Sequence, residues 1–145
     1  MILYLDSSAI VKRYIAEAGS QDVNHWITTA HQVSTGLLAR VETSAAICRA
    51  AHLGWLGKEE SRHALDQFRA EWESFARLPV SEATVRRADE LACRHNLCGY
   101  DAVHLASVLL YQDGLGLPVT LVTYDHSLWR SGQAEGLAVL PEVLP

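Results

Sequence analysis

The feature that most constrains this chain is an alternation. Short runs, most of them apolar, are separated by longer stretches whose apolar residues recur at helical spacing. The runs "MILYL", "HQVST", "ARLPV", "LPVTLVT" and "LAVLPEVL" read as strands, and the apolar ones carry too few polar alternations to face water on either side. Between them "SSAIVKRYIAE", "SQDVNHWITTA", "GLLARVETSAAICRAAHLG", "KEESRHALDQFRAEWESF", "SEATVRRADELACRHN" and "DAVHLASVLLYQD" read as helices, with "YDHSLWRSG" a turn and a short helix. Strands that alternate with helices build an α/β layered fold around a largely parallel sheet.

Local signals place the boundaries. Ser7 or Ser8 can cap the first helix, Gly19 stops it, and Gly54 ends the third. In the fourth, Ala64, Leu65, Phe68, Trp72 and Phe75 share one face and charges occupy the others. No internal repeat or linker interrupts the pattern, and 145 residues suffice for one core, so residues 1–145 read as a single domain.

Composition removes several classes of function. With 49% hydrophobic and 20% charged residues the chain is an ordinary globular protein, and a net charge of −5 opposes coating nucleic acid by bulk electrostatics. From Lys58 to Arg94 seven basic and eight acidic residues intermix, which is a solvated surface and not a nucleic-acid patch. The longest apolar helix, "AVHLASVLLY", is shorter than a membrane span and contains His104. Asp6 breaks the initial apolar stretch, unlike a secretory signal, so a cytoplasmic protein is expected. Cys48, Cys93 and Cys98 lack the pairing of a disulfide scaffold and read as buried or half-buried free thiols. A zinc site from Cys93, His95, Cys98 and His104 is disfavoured, because no paired C-x-x-C is present.

Against this background four acids stand out. Asp6 follows the first strand and Asp125 follows "VTLVT", and in open α/β sheets ligands bind outside the carboxyl ends of the strands. Glu42 shares a helix face with Leu38, Ala45 and Ala46, and Asp101 shares one with Leu105 and Val108. Singly, each has a structural explanation: Asp6 and Asp101 as helix caps or dipole partners, Glu42 reaching Arg49 or solvent, Asp125 in an Asx-turn. Together, with no lysine or arginine evidently paired to Asp6, Asp101 or Asp125, they would repel unless a cation held them. Oxygen-only ligands suit Mg²⁺ or Mn²⁺.

The segments "YLDSSAIVKRY", "ARVETSAA", "CGYDAVHLASV" and "LVTYDHSL" together resemble the PIN-domain nucleases, in particular the small VapC-like toxins of toxin–antitoxin pairs, in order and spacing over essentially the whole chain. The resemblance implies a three-layer α/β/α fold with a central, mostly parallel sheet. It also implies a metal-dependent endoribonuclease that hydrolyses RNA, binds a cognate antitoxin and forms a homodimer. Asp6, Glu42, Asp101 and Asp125 match the family's acids, and Ser8 and Thr123 match small polar residues that support the site. Cys98 departs from the basic or polar residue that many relatives carry in this turn. His104 is read as a core residue or one standing behind the acids.

Cleaving a phosphodiester requires an activated water and an offset to charge developing on the phosphoryl oxygens, which one or two Mg²⁺ or Mn²⁺ ions supply. Lys12, Arg13, Arg40 and Arg49 flank the acids and are candidate phosphate contacts. Two rival functions share the pattern. A haloacid-dehalogenase-like phosphatase or phosphotransferase also has an Asp after its first strand, but Ser8 stands where such enzymes carry a second Asp. A catalytically silent binding module could keep the acids without turnover.

Overall fold

The computed structural model describes residues 1–145. The initial apolar run forms β1 (Ile2–Leu5), and its period of two sorts its side chains between two cores. Tyr4 enters one core, while Leu3 and Leu5 enter the other. The remaining strands are β2 (Gln32–Gly36), β3 (Ala76–Leu78), β4 (Val119–Val122) and β5 (Ala138–Leu140). They form a five-stranded sheet in the order β3-β2-β1-β4-β5. Every pair is parallel, so the expected mostly parallel sheet is wholly so.

Helices cover both faces. Against Leu3 and Leu5 pack α1 (Ser7–Tyr14), α2 (Ser20–Thr29), α3 (Ala39–His52) and α4 (Lys58–Glu71), with a following 3-10 turn at Trp72–Ser74. Phe68, Trp72 and Phe75 meet edge to face in this core, as the amphipathic pattern of α4 requires. Against Tyr4 pack α5 (Glu82–His95), α6 (Gly99–Leu115) and α7 (His126–Ala134). The result is the three-layer α/β/α arrangement. No helix is long and apolar enough to cross a membrane.

Chain order fixes where a site can form. The strands run outward from β1 through β2 to β3, and the chain then returns to lay β4 on the other side of β1. Strand order therefore reverses between β1 and β4, the place where parallel α/β sheets open a crevice at their carboxyl ends. Leu5 pairs with Val122 at the end of that ladder, so Asp6 and Thr123 leave the sheet side by side.

Three local expectations are corrected. The N-cap of α1 is Asp6, not Ser7 or Ser8, because a carboxylate one residue earlier already accepts the orphan Ala9 N–H. The third helix starts at Ala39, since Gly36 completes β2; a Cβ at Gly36 would stand 2.9 Å from the Tyr4 hydroxyl. All three cysteines are exposed, because Cys48 and Cys93 fall on outward helix faces and Cys98 on a turn.

Candidate active site

Asp6 is almost completely buried, at 3% exposure, yet has no cationic partner. Neutral donors surround it instead. Ser8 Oγ–H is shared between Oδ1 at 2.8 Å and Oδ2 at 2.9 Å, the Ala9 amide donates to Oδ1 at 3.0 Å, and Thr123 Oγ1 donates to Oδ2 at 2.8 Å. Three protons thus serve a group with about four acceptor positions, which leaves one lone pair for another partner.

The two supporting hydroxyls are fixed in turn by the chain after β4. The Tyr124 amide donates to Ser8 Oγ at 2.8 Å, and the Asp125 amide donates to Thr123 Oγ1 at 3.1 Å. Asp125 caps α7, accepting the Leu128 amide on Oδ1 at 2.8 Å, so its other oxygen is uncommitted. Each hydroxyl accepts from β4's continuation and donates to Asp6, which joins the ends of β1 and β4 into one unit.

Glu42 is half-buried and does not pair with Arg49. Its Oε2 meets His104 Nε2 at 2.7 Å, across 62 residues of sequence. His104 is buried, and its Nδ1 lies 2.8 Å from the Tyr4 hydroxyl. Asp101, half-buried in the first turn of α6, accepts the Cys98 thiol on Oδ2 at 2.9 Å. None of the ion pairs in the protein involves Asp6, Asp101 or Asp125.

Comparison with known proteins gives this geometry a context. The sequence matches the PIN domain over residues 3–130. The chain belongs to the PIN-domain family. Ribonuclease VapC45 of Mycobacterium tuberculosis is 32% identical to this PIN domain over 143 residues, covering 99% of the chain and 97% of the relative. Among solved structures, the Sarcin-Ricin loop cleaving toxin VapC20 of M. tuberculosis aligns with a TM-score of 0.68 at 17% identity, covering 99% of each chain. A toxin–antitoxin complex from Klebsiella pneumoniae aligns with a TM-score of 0.62 at 15% identity, covering 85% of this chain and 86% of that one. At these identities the structural matches speak for the fold.

Burial and charge shift three groups of this PIN domain away from their ordinary pKa. Burial pushes the Asp6 carboxyl above its ordinary pKa, although His104, the Ala9 amide and the two hydroxyls pull the other way. Asp101 is also raised, by burial first and then by the charges of Asp125 and Glu42, against the Cys98 bond and His104. Burial alone would lower His104, but the Glu42 bond and the charges of Asp6, Glu42 and Asp101 outweigh it and raise the imidazole. His104 is thus coupled to Asp6, Glu42 and Asp101, and Asp101 also to Asp125 and Glu42.

The acids nevertheless stand apart: no group of three or more His, Cys, Asp or Glu side chains is set to hold a metal ion. In chemistry the donor set suits a hard divalent ion. Each carboxylate keeps a free acceptor position after its protein bonds are counted, and the donors are all oxygens.

The basic residues divide. Lys12 bonds Glu17 at 3.0 Å and the Ala18 carbonyl at 2.8 Å, with its ammonium over the Tyr124 ring. Arg13 is turned to Glu71 and Asn24. Arg40 and Arg49 are exposed on α3, Arg40 leaning over Trp72. The disfavoured zinc set is dispersed, since His95 bonds Glu135, His104 bonds Glu42 and Cys98 bonds Asp101. Sequence reasoning did not connect Tyr4 or His104 to Glu42. The available signal was a histidine inside an apolar helical run, where a polar ring needs partners.

Proposed function

We propose that this PIN domain is a metal-dependent endoribonuclease, the toxin of a toxin–antitoxin pair, acting in the cytoplasm as a single nuclease domain. The observation that carries this reading is Asp6, a buried carboxylate with its charge unpaired, held by three neutral donors at the strand-order reversal. Asp6 also caps α1, but a neutral Ser, Thr or Asn would cap it without the cost of burying an unpaired charge. The curated relative VapC45 is a ribonuclease, which supports RNA as substrate.

Asp6 and Asp101 would be the principal ligands for Mg²⁺ or Mn²⁺, with Glu42 a ligand or the group that orients the attacking water, and Asp125 an outer ligand. A divalent ion held by these residues would supply an offset to charge on the phosphoryl oxygens and would lower the pKa of a bound water. The protein's own part is placement. Ser8 and Thr123 keep Asp6 in one rotamer, the α7 cap leaves one Asp125 oxygen without a protein partner, and the α6 N-terminus carries Asp101. Arg40 and Arg49 are free to meet phosphate, whereas Lys12 and Arg13 must first release Glu17 and Glu71.

A protein partner has a surface to use. Leu37, Val41, Leu53 and Trp55 are exposed along and beyond α3, Trp55 at 78%, which supports an antitoxin contact and a homodimer contact. The test of the whole reading is cleavage of labelled single-stranded and hairpin RNA. Wild type should cut with Mg²⁺ or Mn²⁺ and stop in EDTA, and undiminished cleavage in excess chelator refutes it.

A further inference from the structure

We propose that a buried relay, Tyr4–His104–Glu42, fixes the carboxylate of Glu42 at the active site, with His104 as a positioning residue that acts only through Glu42. The proposal rests on the reading of Glu42 as part of the metal-dependent site. What carries it is the hydrogen-bond geometry around His104.

His104 lies in α6 among Leu105, Ala106 and Val108, at 3% exposure. A polar ring in that position costs free energy unless its nitrogens are satisfied. Both are, at 2.8 Å to the Tyr4 hydroxyl and 2.7 Å to Glu42 Oε2. An ionised carboxylate only accepts, so Nε2 carries the proton toward Glu42. In the neutral ring Nδ1 then accepts from the Tyr4 hydroxyl, and in the charged ring Nδ1–H donates to it. The Nε2–H···Oε2 bond survives in both states, so the relay holds Glu42 whatever the charge on the imidazole.

The far end of the relay is rigid. Tyr4 is fully buried in the central strand β1, its ring edge-on to His104 with centroids 5.9 Å apart. Gly36, at the end of β2, leaves room for the hydroxyl, because a Cβ there would come within 2.9 Å of it. Three separate elements, β1, β2 and α6, thus define where the proton of Nε2 points. Glu42, by contrast, hangs from the first turn of α3 with its side chain 19% exposed. Without His104 nothing in the structure holds its carboxylate, and an unrestrained glutamate has three rotatable bonds to lose. The bond commits Oε2 and leaves Oε1 without a protein partner, so Glu42 offers a single uncommitted oxygen. Outer partners of this kind are worth roughly 10–100-fold in metal affinity or activity.

A merely structural histidine would show different behaviour on substitution. His104→Gln keeps a donor at the position of Nε2, His104→Asn places its amide nearer Nδ1 and short of Glu42, and His104→Phe fills the volume with no donor. The experiment measures Mn²⁺ affinity of the full chain by electron paramagnetic resonance, with kcat and KM for RNA cleavage, for wild type, these three variants and Glu42→Gln. Expected are Mn²⁺ binding and kcat weakened about 10–100-fold in His104→Phe and His104→Asn, approaching Glu42→Gln, with KM for RNA unchanged and both values rescued to within several-fold in His104→Gln. If His104→Phe does not fold, the Gln against Asn contrast decides alone. Wild-type affinity in His104→Asn or His104→Phe overturns the relay, and so does equal loss in Gln and Asn. A wild type that neither binds Mn²⁺ nor cuts RNA refutes the underlying nuclease reading, and that failure is seen before any variant is compared.

Discussion

The candidate site has two unlike halves. Around Asp6 every supporting group is itself supported: Ser8 and Thr123 donate to the carboxylate while accepting backbone amides from Tyr124 and Asp125. Around Asp101 the only side-chain partner is an exposed thiol, and Asp125 is held by one backbone amide. The buried half is built before any ligand arrives, as preorganised sites are. The open half holds its carboxylates by fewer bonds. On the proposed nuclease reading, a site for both an ion and a moving polyanion would need one rigid reference, which the end of β1 would supply because it sits in the middle of the sheet.

The largest expected effect tests whether the halves cooperate in chemistry. Asp6→Asn and Asp101→Asn should each lower RNA cleavage by more than about a hundredfold, above what an outer partner usually costs. Retained cleavage in Asp101→Asn would leave the open half out of the reaction. Both proteins should still fold, since a neutral amide relieves burial of a charge that the fold raises in pKa.

Metal addition separates the halves by stability. In wild type, Mn²⁺ at a hundredfold excess over its dissociation constant should add about 2.7 kcal/mol of stability, and Asp6→Asn and Asp101→Asn should gain much less. Differential scanning calorimetry in EDTA and in Mn²⁺ measures this directly. An equal gain in wild type and both variants would put the ion elsewhere.

Acids that end strands were legible in the sequence, and partners distant along the chain were not. Asp6 and Asp125 could be found because each ends an apolar run, and chain topology alone brings the ends of β1 and β4 together. The assignment of Leu3 and Tyr4 to opposite cores was hidden, since in a strand buried on both faces all residues are apolar. Glu42 reads from sequence as an acid on a core-facing stripe, yet Ala45 and Ala46 on that face are exposed and the core face is Ala39, Thr43 and Ile47. Its partner lies 62 residues away on α6, beyond the reach of helical spacing. The same limit applies to Lys12 and Arg13. Their positions near the acids were visible, whereas the carboxylates of Glu17 and Glu71 that engage them were not. The thiols were misjudged because cysteine tends to be buried, and α3 and α5 present Cys48 and Cys93 outward all the same.

Removing one support from each half should show their unequal rigidity. Thr123→Val keeps the shape of a fully buried side chain but takes a donor from Asp6 and an acceptor from the Asp125 amide. It should cost about 1–3 kcal/mol, the penalty for leaving buried polar groups unpaired. Cys98→Ala removes the thiol from Asp101 at an exposed turn and should stay within about 0.5 kcal/mol. Urea unfolding measured in parallel checks the contrast, and similar losses in both variants would dissolve it.

The smallest effect concerns acid. The folded-state pKa of Asp101 is raised, so the folded protein takes up a proton there more readily than the unfolded chain. By linkage this favours folding below the unfolded value of about 3.9 and is lost as pH rises through the raised value. Metal-stripped Asp101→Asn should therefore melt above wild type near pH 7. That advantage should shrink as pH falls toward the ordinary carboxylate range, where wild type gains the same neutral group by protonation. Because Asp101 is half-exposed, solvent screening keeps the difference on the order of 1–4 °C. Glu135 provides the opposite sign within the same molecule: the His95 and Arg94 bonds hold its carboxyl below the usual value despite the opposing effect of burial. Glu135→Gln should melt below wild type near pH 7, with the deficit closing as pH falls through the lowered value and the wild-type carboxylate is itself protonated. Opposite slopes in the two variants would show that the open half of the site is strained by unpaired charge while the α5–α7 contact is stabilised by paired charge. Slopes of the same sign would mean that Asp101 has a partner the structure does not give it.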